Sequence, residues 1–413
     1  MPIPTPKKYV LDFENMGFGL FVHWGLYSQL EMGEWTYDFH KRSMNEYKKL
    51  KDSFTAEDFN AEKLVLTAKN AGCKYITLTT RHHEGFSLYD TCGLNDFDAP
   101  HSSAKRDLIK EFADACHKHD ISPFFYHTTL DWYNTDYNNN FEKYLEYLRQ
   151  SIEILCTNYG KIGGFWFDGN WDKPDADWQE DKLYSTIRRY QKDAIIVNNT
   201  GLSHRGETGN DEIDSVTFEQ GTPTPMNREG MKKYLAGEMC CTINSHWGTA
   251  ANDISFKSPV ELIENLCLCR KVGANYLLNI SPGPQGDIEP LQAELLKCIG
   301  KWIKIYGEAI YTAKPHPAHS DNKNFVLKTN DALYLFYFDL PLCGSENVVL
   351  SGGNIGWTNF SNVNEDIEDV RWIDNGEKLK FSKYDDLLSV YTTGFPYGTQ
   401  LGVRVAKAII KRR

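Results

Sequence analysis

The chain has 413 residues and a formal net charge of −11, with 56 acidic against 45 basic side chains. A chain of this length can bury a large core and is expected to form two domains. The acidic balance argues against nucleic acid and anionic membranes as partners, since both require a basic surface, and no stretch is apolar enough to span a bilayer.

The first residues carry no apolar segment of the signal-peptide type, so we expect a cytoplasmic protein, with a trimmed secreted form left open. The ten cysteines occur singly, as Cys240-Cys241 or as Cys267-x-Cys269, and no Cys-x-x-Cys pair occurs. This spacing predicts reduced, buried thiols and argues against a disulfide framework or a zinc ribbon.

From residue 18 to about residue 311, predicted strands and helices alternate. Short apolar runs predict eight strands, at Phe18–Trp24, Tyr75–Thr80, Phe124–Thr128, Phe165–Asp168, Ala194–Asn198, Ser215–Glu219, Met239–Ile243 and Asn275–Ile280. Longer segments predict helices over Ala61–Asn70, Asp107–His119, Phe141–Tyr159, Asp177–Lys192, Pro259–Val272 and Glu289–Tyr311, whereas helices after the fifth and sixth strands are short or doubtful. The alternation favours a (β/α)₈ TIM barrel over residues 1–312, with a doubly wound sheet as the weaker alternative.

Beyond residue 312 the sequence changes character. Ala313–Pro317 is typical of a linker, and Asn364–Asp369 is typical of an acidic loop. Short β-type runs separated by Gly, Asn and Asp turns stand at Asn324–Leu327, Ala332–Phe338, Val348–Leu350, Leu388–Tyr391 and Gly402–Ala406. This spacing predicts an antiparallel β-sandwich over residues 313–413.

The fourth predicted strand ends in a single carboxylate, Asp168, followed by Gly169. A short apolar run predicts a buried strand, and a glycine lets the chain turn away from its end. Asp168 is therefore expected at the carboxyl-terminal tip of a core strand, where barrels carry their catalytic residues. Taken alone, an aspartate that caps the following turn is about as well supported.

Other predicted strands also end in polar or aromatic residues, and together they indicate a binding pocket. These residues are His23, His82, His83, Tyr126, His127, Trp166 and Glu219. His82 and His83 are adjacent, so in a strand their side chains would diverge and would rarely bind one ion. We therefore expect no metal and no other cofactor, with a metal site as a secondary alternative. Carboxylates among neutral donors and aromatic walls match the needs of glycoside hydrolysis.

Several segments, in the right order over roughly residues 10–311, resemble the α-L-fucosidases of glycoside hydrolase family 29. They are Phe18–Gly25, Gly33–Tyr37, Ala68–Phe86 with Arg81–Phe86 at its end, Leu130–Trp132, Trp166–Gly169, Ser245–Gly248 and Tyr276–Gly283. The resemblance implies an exo-enzyme that hydrolyses terminal α-L-fucosides with net retention, in a (β/α)₈-like barrel followed by a C-terminal β-sandwich. The implied partner is a fucosylated oligosaccharide, and self-association stays open.

The matching motifs also imply residue roles. Asp168 would be the nucleophile, and Trp35 would face the apolar edge of the sugar near its methyl group. The residues implied to line the fucose pocket are His23, Glu34, Trp35, His82, His83, Tyr126 and Trp166, with His127 and His246 as neighbours.

Two glutamates compete for the role of acid/base. Glu219 ends the predicted sixth strand, which places it at the catalytic rim. Glu238 resembles a family Trp-Glu motif, but it opens the next strand, and strand starts lie at the structural end of a barrel. We favour Glu219 and keep Glu238 as the alternative. An arginine that many relatives have after the fifth strand is absent, since Asn198-Asn199-Thr200 stands there, and Arg205 is a substitute that stays open.

Three other functions stay open from the sequence. A glycosidase for a related sugar, such as a galactoside, would need more room beside Trp35. A catalytically inactive carbohydrate-binding protein would require neither Asp168 nor a glutamate at the rim. Transfer of the sugar to an acceptor other than water is compatible with retaining chemistry.

Overall fold

The computed structural model describes residues 2–345, 347–349 and 356–411. Eight parallel strands close into a barrel in chain order, with β1 hydrogen-bonded to β8. They are β1 Phe18–Val22, β2 Tyr75–Arg81, β3 Ser122–Thr128, β4 Gly164–Asp168, β5 Ile195–Asn198, β6 Ser215–Thr217, β7 Ala236–Thr242 and β8 Asn275–Ile280. The predicted TIM barrel is confirmed, because a doubly wound sheet would be open.

Helices separate most of these strands. The longer ones are Lys8–Met16, Ala61–Ala71, Leu108–Lys118, Phe141–Asn158, Glu180–Tyr190, Pro259–Lys271 and Pro290–Thr312. Short helical turns lie at Leu26–Leu30, Thr36–Phe39, Met44–Tyr47, Lys48–Asp52, Asp136–Asn139 and Asn170–Asp172. Asn60, Asp107, Asn140 and Ser258 cap helix starts by accepting a hydrogen bond from a backbone N–H three residues on. Residues 199–214 and 218–235, all described, contain no helix, so loops follow the fifth and sixth strands.

One end of the barrel is closed by the helix Lys8–Met16. Its Val10 and Phe13 are buried and belong to the same cluster as Tyr75 and Phe124, which lie near the starts of their strands. Large apolar side chains fill the interior, as in a packed barrel core. The helix covers the amino ends of the strands, and the carboxyl ends are therefore the ones free to form a site.

The C-terminal part contains two antiparallel sheets, with strand orders β13-β16-β11-β10-β9 and β12-β15-β14. Their strands are β9 Lys314–His319, β10 Phe325–Lys328, β11 Ala332–Tyr337, β12 Gly356–Phe360, β13 Ile367–Trp372, β14 Lys380–Tyr384, β15 Leu387–Thr392 and β16 Arg404–Ile410. Leu335, Tyr337 and Trp372 of the larger sheet pack with Phe360 and Val390 of the smaller one. The predicted β-sandwich is confirmed.

Two predictions for this region were wrong. The segment Ala313–Pro317 is not a linker, because most of it belongs to β9. Its prolines are tolerated because β9 lies at the edge of its sheet, where a missing N–H costs no ladder bond. The acidic segment Asn364–Asp369 runs into β13 and is not a loop throughout. Val348 lies in a turn, and Leu350, the end of that predicted strand, lies outside the described residues.

The chain divides into two compact units. One comprises Met1–Phe256 with Asn275–Lys297, and the other comprises Lys257–Ala274 with Cys298–Arg413. The barrel strands belong to the first unit and the antiparallel sheets to the second. The boundary that the sequence predicts after residue 312 coincides with the end of the helix Pro290–Thr312 and stays a prediction. Among the described residues, we find no helix with the length and apolar character needed to cross a membrane.

Candidate active site

A cavity of about 1330 Å³ opens at the carboxyl ends of the barrel strands. It is larger than the roughly 300–1,000 Å³ typical of pockets for small ligands. Nine of the residues singled out from the sequence line it: His23, Glu34, Trp35, His82, His83, Tyr126, Trp166, Asp168 and Glu219.

Asp168 is the last residue of β4, and neutral donors surround its carboxylate. The Tyr126 hydroxyl donates to Oδ2 at 3.1 Å, and the Trp171 indole donates to Oδ1 at 2.8 Å. The Asn199 amide donates to Oδ1 at 3.2 Å, and Nε2 of His83 lies 3.5 Å from Oδ2. These contacts fix the orientation of a carboxylate that faces the cavity, as a nucleophile requires.

Glu219 follows β6, which ends at Thr217, two residues earlier than the sequence predicts. Burial raises the pKa of Glu219 to about 7, with a further contribution from the negative charge of Asp168. A carboxyl group with such a pKa keeps its proton near neutral pH and can therefore act as a general acid. Two carboxyl groups in different environments thus face one cavity.

Asn199 connects these two carboxyl groups. Its Nδ2 donates to Oε2 of Glu219 at 2.8 Å and to Oδ1 of Asp168 at 3.2 Å. The amide oxygen accepts from the Thr217 hydroxyl at 3.0 Å and from the Gly201 N–H at 3.3 Å, which determines which end of the amide faces the carboxyl groups. Because both distances start from Nδ2 of Asn199, their sum limits the separation between Oδ1 of Asp168 and Oε2 of Glu219 to at most about 6 Å.

The cavity histidines are held neutral by burial. Burial lowers the pKa of His23 to about 3 and lowers the pKa values of His82 and His83 as well. Nδ1 of His23 lies 2.7 Å from Oδ1 of Asn279, whose amide nitrogen donates to the Trp247 carbonyl. His23 therefore donates through Nδ1 and keeps a lone pair on Nε2. A neutral imidazole of this kind can accept a hydrogen bond from a sugar hydroxyl.

His82 and His83 do not diverge, which corrects the expectation from the sequence. Their ring centroids lie 4.2 Å apart, and both rings line the cavity. The strand β2 ends at Arg81, and the following residues form a turn in which the Gly85 N–H donates to the His82 carbonyl at 3.0 Å. The alternation of a strand therefore does not apply to them. Across the part of the chain that the structure describes, no three His, Cys, Asp or Glu side chains are grouped closely enough to hold a metal ion.

An aromatic wall stands on one side of the cavity. Trp35 packs edge-on against Trp132 at 5.1 Å and stacks with Trp171 at 6.0 Å between ring centroids. Next to it, Glu34 accepts a hydrogen bond from the Gly248 N–H at 2.8 Å, and burial raises the pKa of Glu34. Indole surfaces of this kind match the apolar face or edge of a sugar.

Two residues expected near the pocket do not line it. His127 points to the opposite face of β3 from Tyr126, because side chains alternate along a strand. Its Nε2 lies 3.2 Å from the Tyr89 hydroxyl, in a buried polar cluster. His246 is half-exposed and pairs with Asp253 at 2.8 Å, whereas its neighbour Trp247 lines the cavity.

Glu238 lies inside the barrel and does not line the cavity. The Trp166 indole donates to its Oε1 at 2.9 Å, and the Tyr75 hydroxyl donates to Oε2. Burial raises the pKa of Glu238 to about 7. Both carboxyl oxygens are thus occupied by residues of the barrel core, as expected for a structural role.

Phe21, Trp171, Asn199 and Trp247 are among the further cavity-lining residues that the sequence reasoning did not assign to the site. Trp171 lies in the loop that follows Asp168, and Asn199 directly follows β5. Positions just after barrel strands are where site residues are expected, so both residues could have been predicted from the sequence. Arg205 is exposed and does not line the cavity, although its Nε donates to the Glu219 carbonyl. It supports the backbone of Glu219 and contacts neither carboxyl group.

Comparisons with known proteins agree on one family. A family model described as alpha-L-fucosidase matches residues 5–308. The tissue alpha-L-fucosidase of Rattus norvegicus is 30% identical over 372 residues, which cover 81% of this chain and 78% of that protein. Alpha-L-fucosidase isoenzyme 1 from Paenibacillus thiaminolyticus has a TM-score of 0.85 at 27% identity, covering 98% of this chain and 99% of that one. A family 29 fucosidase from Bacteroides thetaiotaomicron, solved as a trapped covalent intermediate, has the same fold, with a TM-score of 0.82 at 21% identity, covering 100% of this chain and 98% of that one.

Proposed function

The chain belongs to the α-L-fucosidase family of glycoside hydrolases, and we propose that it removes terminal α-L-fucose from oligosaccharides or glycoconjugates by double displacement with net retention. The Asn199 amide, which donates to both Asp168 and Glu219, is the observation that carries this mechanism. If each amide hydrogen serves one carboxyl group, the two oxygens lie roughly 5 Å apart. Retaining enzymes have carboxyl groups about 5–5.5 Å apart, and inverting enzymes about 6.5–9.5 Å.

In the first step, an oxygen of ionised Asp168 attacks the anomeric carbon while the glycosidic bond breaks. Protonated Glu219 gives its proton to the leaving oxygen. In the second step, ionised Glu219 takes a proton from water as the water oxygen attacks the anomeric carbon and the bond to Asp168 breaks. The pKa of about 7 for Glu219 supports this assignment, because the group can hold a proton before the first step and release it afterwards.

The surroundings of the two carboxyl groups support a neutral deoxy-sugar. The imidazoles of His23, His82 and His83 are neutral and can each bond a hydroxyl. Trp35 and Trp171 provide apolar surface for a methyl group. A galactoside would place a hydroxymethyl group where fucose has its methyl group, and would need both room and a polar partner there.

Hydrolysis of 4-nitrophenyl α-L-fucoside by the wild type and by Asp168→Ala tests the proposal. We expect the variant to lose nearly all activity, and azide to restore turnover and to give the fucosyl azide of inverted configuration. The azide would take the place of the missing carboxylate as the nucleophile, and the covalent ester between the sugar and residue 168 would no longer form. If the wild type hydrolysed neither the fucoside nor the matching α-L-galactoside, the proposal would be contradicted.

A further inference from the structure

We propose that Asn199 is a positioning residue that keeps a hydrogen bond on whichever of Asp168 and Glu219 is ionised as negative charge moves between them. This inference rests on the proposed double displacement.

The side chain of Asn199 is held rigidly enough for this role. Asn199 is 4% exposed, and its backbone N–H donates to the Phe167 carbonyl at 2.8 Å, beside the end of β4. The hydroxyl of Thr217, the last residue of β6, bonds the amide oxygen at 3.0 Å. Anchors from two neighbouring strands leave only the two N–H groups free to face the carboxyl groups.

The charges of the two carboxyl groups change in opposite directions. Before the first step, Asp168 is ionised and Glu219 carries the proton. When the bond between Asp168 and the anomeric carbon forms, Asp168 becomes a neutral ester, and the proton of Glu219 leaves with the departing alcohol. The negative charge thus disappears from Asp168 and appears on Glu219, and the second step reverses this change.

A neutral amide with two donors suits this exchange. A hydrogen bond to an ionised carboxylate is roughly twice as strong as one to a neutral group. As Asp168 loses its charge, its bond to Asn199 weakens, while the bond from Asn199 to Glu219 strengthens without movement of the amide. The amide adds no charge of its own, so it does not favour the ionised form of Glu219 as strongly as a cation at this position would.

Removal of the amide has two measurable consequences. The bond from Asn199 opposes the rise in the pKa of Glu219 that burial and the charge of Asp168 cause. Without it, the alkaline midpoint of the pH profile of kcat/KM is expected to move upward by roughly one pH unit. Below the alkaline midpoint of the wild type, kcat/KM is expected to drop, because no donor then meets the charge that appears on Glu219 in the transition state. The drop is at most the roughly ten- to hundred-fold that corresponds to one hydrogen bond to a charged group.

The test is the pH profile of 4-nitrophenyl α-L-fucoside hydrolysis for the wild type, Asn199→Ala and Asn199→Asp. The aspartate keeps the shape of the side chain, but it replaces the donor with a negative charge, so it is expected to raise the midpoint further than the alanine does and to lower kcat/KM at least as much. Asn198→Ala is the matched control, because the amide of Asn198 bonds Glu180 and Tyr184 and contacts neither catalytic carboxyl group. Its midpoint is expected to equal that of the wild type.

The outcomes separate this inference from the proposed function. An inactive wild type, or an Asp168→Ala variant that azide does not rescue, would contradict the double displacement itself. An active wild type with azide rescue, together with folded Asn199 variants that keep the wild-type midpoint, would overturn only the role of Asn199. Circular dichroism identifies which Asn199 variant is folded. Asn199→Ala reports the loss of the donor alone, and a wild-type midpoint in either folded variant would overturn the role of Asn199.

Discussion

The indole nitrogen of Trp166 donates a 2.9 Å hydrogen bond to Oε1 of Glu238 and ties that glutamate to the interior of the barrel. Trp166 lines the cavity, whereas Glu238 does not. The other oxygen of Glu238 accepts from the Tyr75 hydroxyl. Glu238 therefore supports an aromatic residue of the site, and Glu219 is the glutamate that shares the cavity with Asp168.

The first prediction separates these two glutamates. Glu219→Ala is expected to reduce kcat/KM for glycosides with poor leaving groups by roughly 10²–10⁴-fold, because the leaving oxygen then receives no proton. With 4-nitrophenyl α-L-fucoside and azide, the variant is expected to give the fucosyl azide of retained configuration, since azide attacks the intermediate. Product configuration is read by NMR.

Glu238→Gln is the matched comparison for this experiment. It replaces a buried carboxyl group with an amide of the same shape, and we expect a lower melting temperature without acceleration by azide. If azide accelerated the Glu238 variant and not the Glu219 variant, the two assignments would have to be exchanged.

The second prediction concerns the activity of the wild type as a function of pH. The pKa of Glu219 is raised to about 7, chiefly by burial. In the proposed mechanism, the protonated form of Glu219 is the general acid. As the pH rises through this value, the acid loses its proton, so kcat/KM is expected to fall above about pH 7. Profiles from pH 5 to pH 9 measure this decline, which should be absent in Glu219→Ala. A decline that persists in that variant would assign it to another group.

The third prediction concerns Glu84, which lies behind the pocket with its Oε2 3.7 Å from Nδ1 of His82. Burial raises the pKa of Glu84 to about 8, with a smaller contribution from the charge of Asp131. The unfolded chain releases this proton near pH 4.3 and the folded chain only near pH 8, so the contribution of Glu84 to stability is lost as the pH rises between about these values. Glu84→Gln, which cannot ionise, should therefore gain stability relative to the wild type over this range, by up to a few kcal/mol.

Melting temperatures of both proteins from pH 5 to pH 8.5 measure this effect. Glu142→Gln, in the exposed first turn of the helix Phe141–Asn158, controls for the loss of a surface charge. Parallel curves for the wild type and Glu84→Gln would show that Glu84 does not hold its proton in the folded state.

The fourth prediction concerns the turn that presents His82 and His83. Gly85 has a φ of +85°, and a Cβ atom there would lie 2.5 Å from Cβ of Tyr133 and 2.7 Å from Oδ1 of Asp131. Gly85→Ala is therefore expected to destabilise the fold by a few kcal/mol and to lower kcat/KM by displacing the two histidines. Urea unfolding and fucoside hydrolysis measure the two effects.

Gly93 offers a matched control, with a φ of +86° and no atom within 4 Å of an added Cβ. Gly93→Ala carries only the backbone strain of a left-handed alanine, about 1 kcal/mol, and should keep full activity. Equal losses in the two variants would mean that the turn at Gly85 tolerates a side chain.

The sequence by itself determined the barrel and the position of Asp168, the proposed nucleophile. Barrel strands are buried on both faces, so each appears in the sequence as a short apolar run. Such a run can be recognised without knowing which distant residues pack against it. Asp168 stands directly after such a run, and its place at the strand tip follows from chain order alone. The β-sandwich could also be predicted from the sequence, but its strand β9 could not. A proline-containing segment can form a strand only at the edge of a sheet, and the sequence does not show which strand lies at the edge.

Only the tertiary structure decided which polar groups share the cavity. His127 had the same sequence signal as His83, yet it faces away from the cavity because β3 continues through it, whereas β2 ends before His83. The pairing of Asn199 with Glu219 joins the loops after two different strands, and no local pattern encodes that contact. The physical reason is that a strand fixes the direction of its own side chains, whereas residues beyond strand ends are oriented by turns and by partners that are distant in sequence.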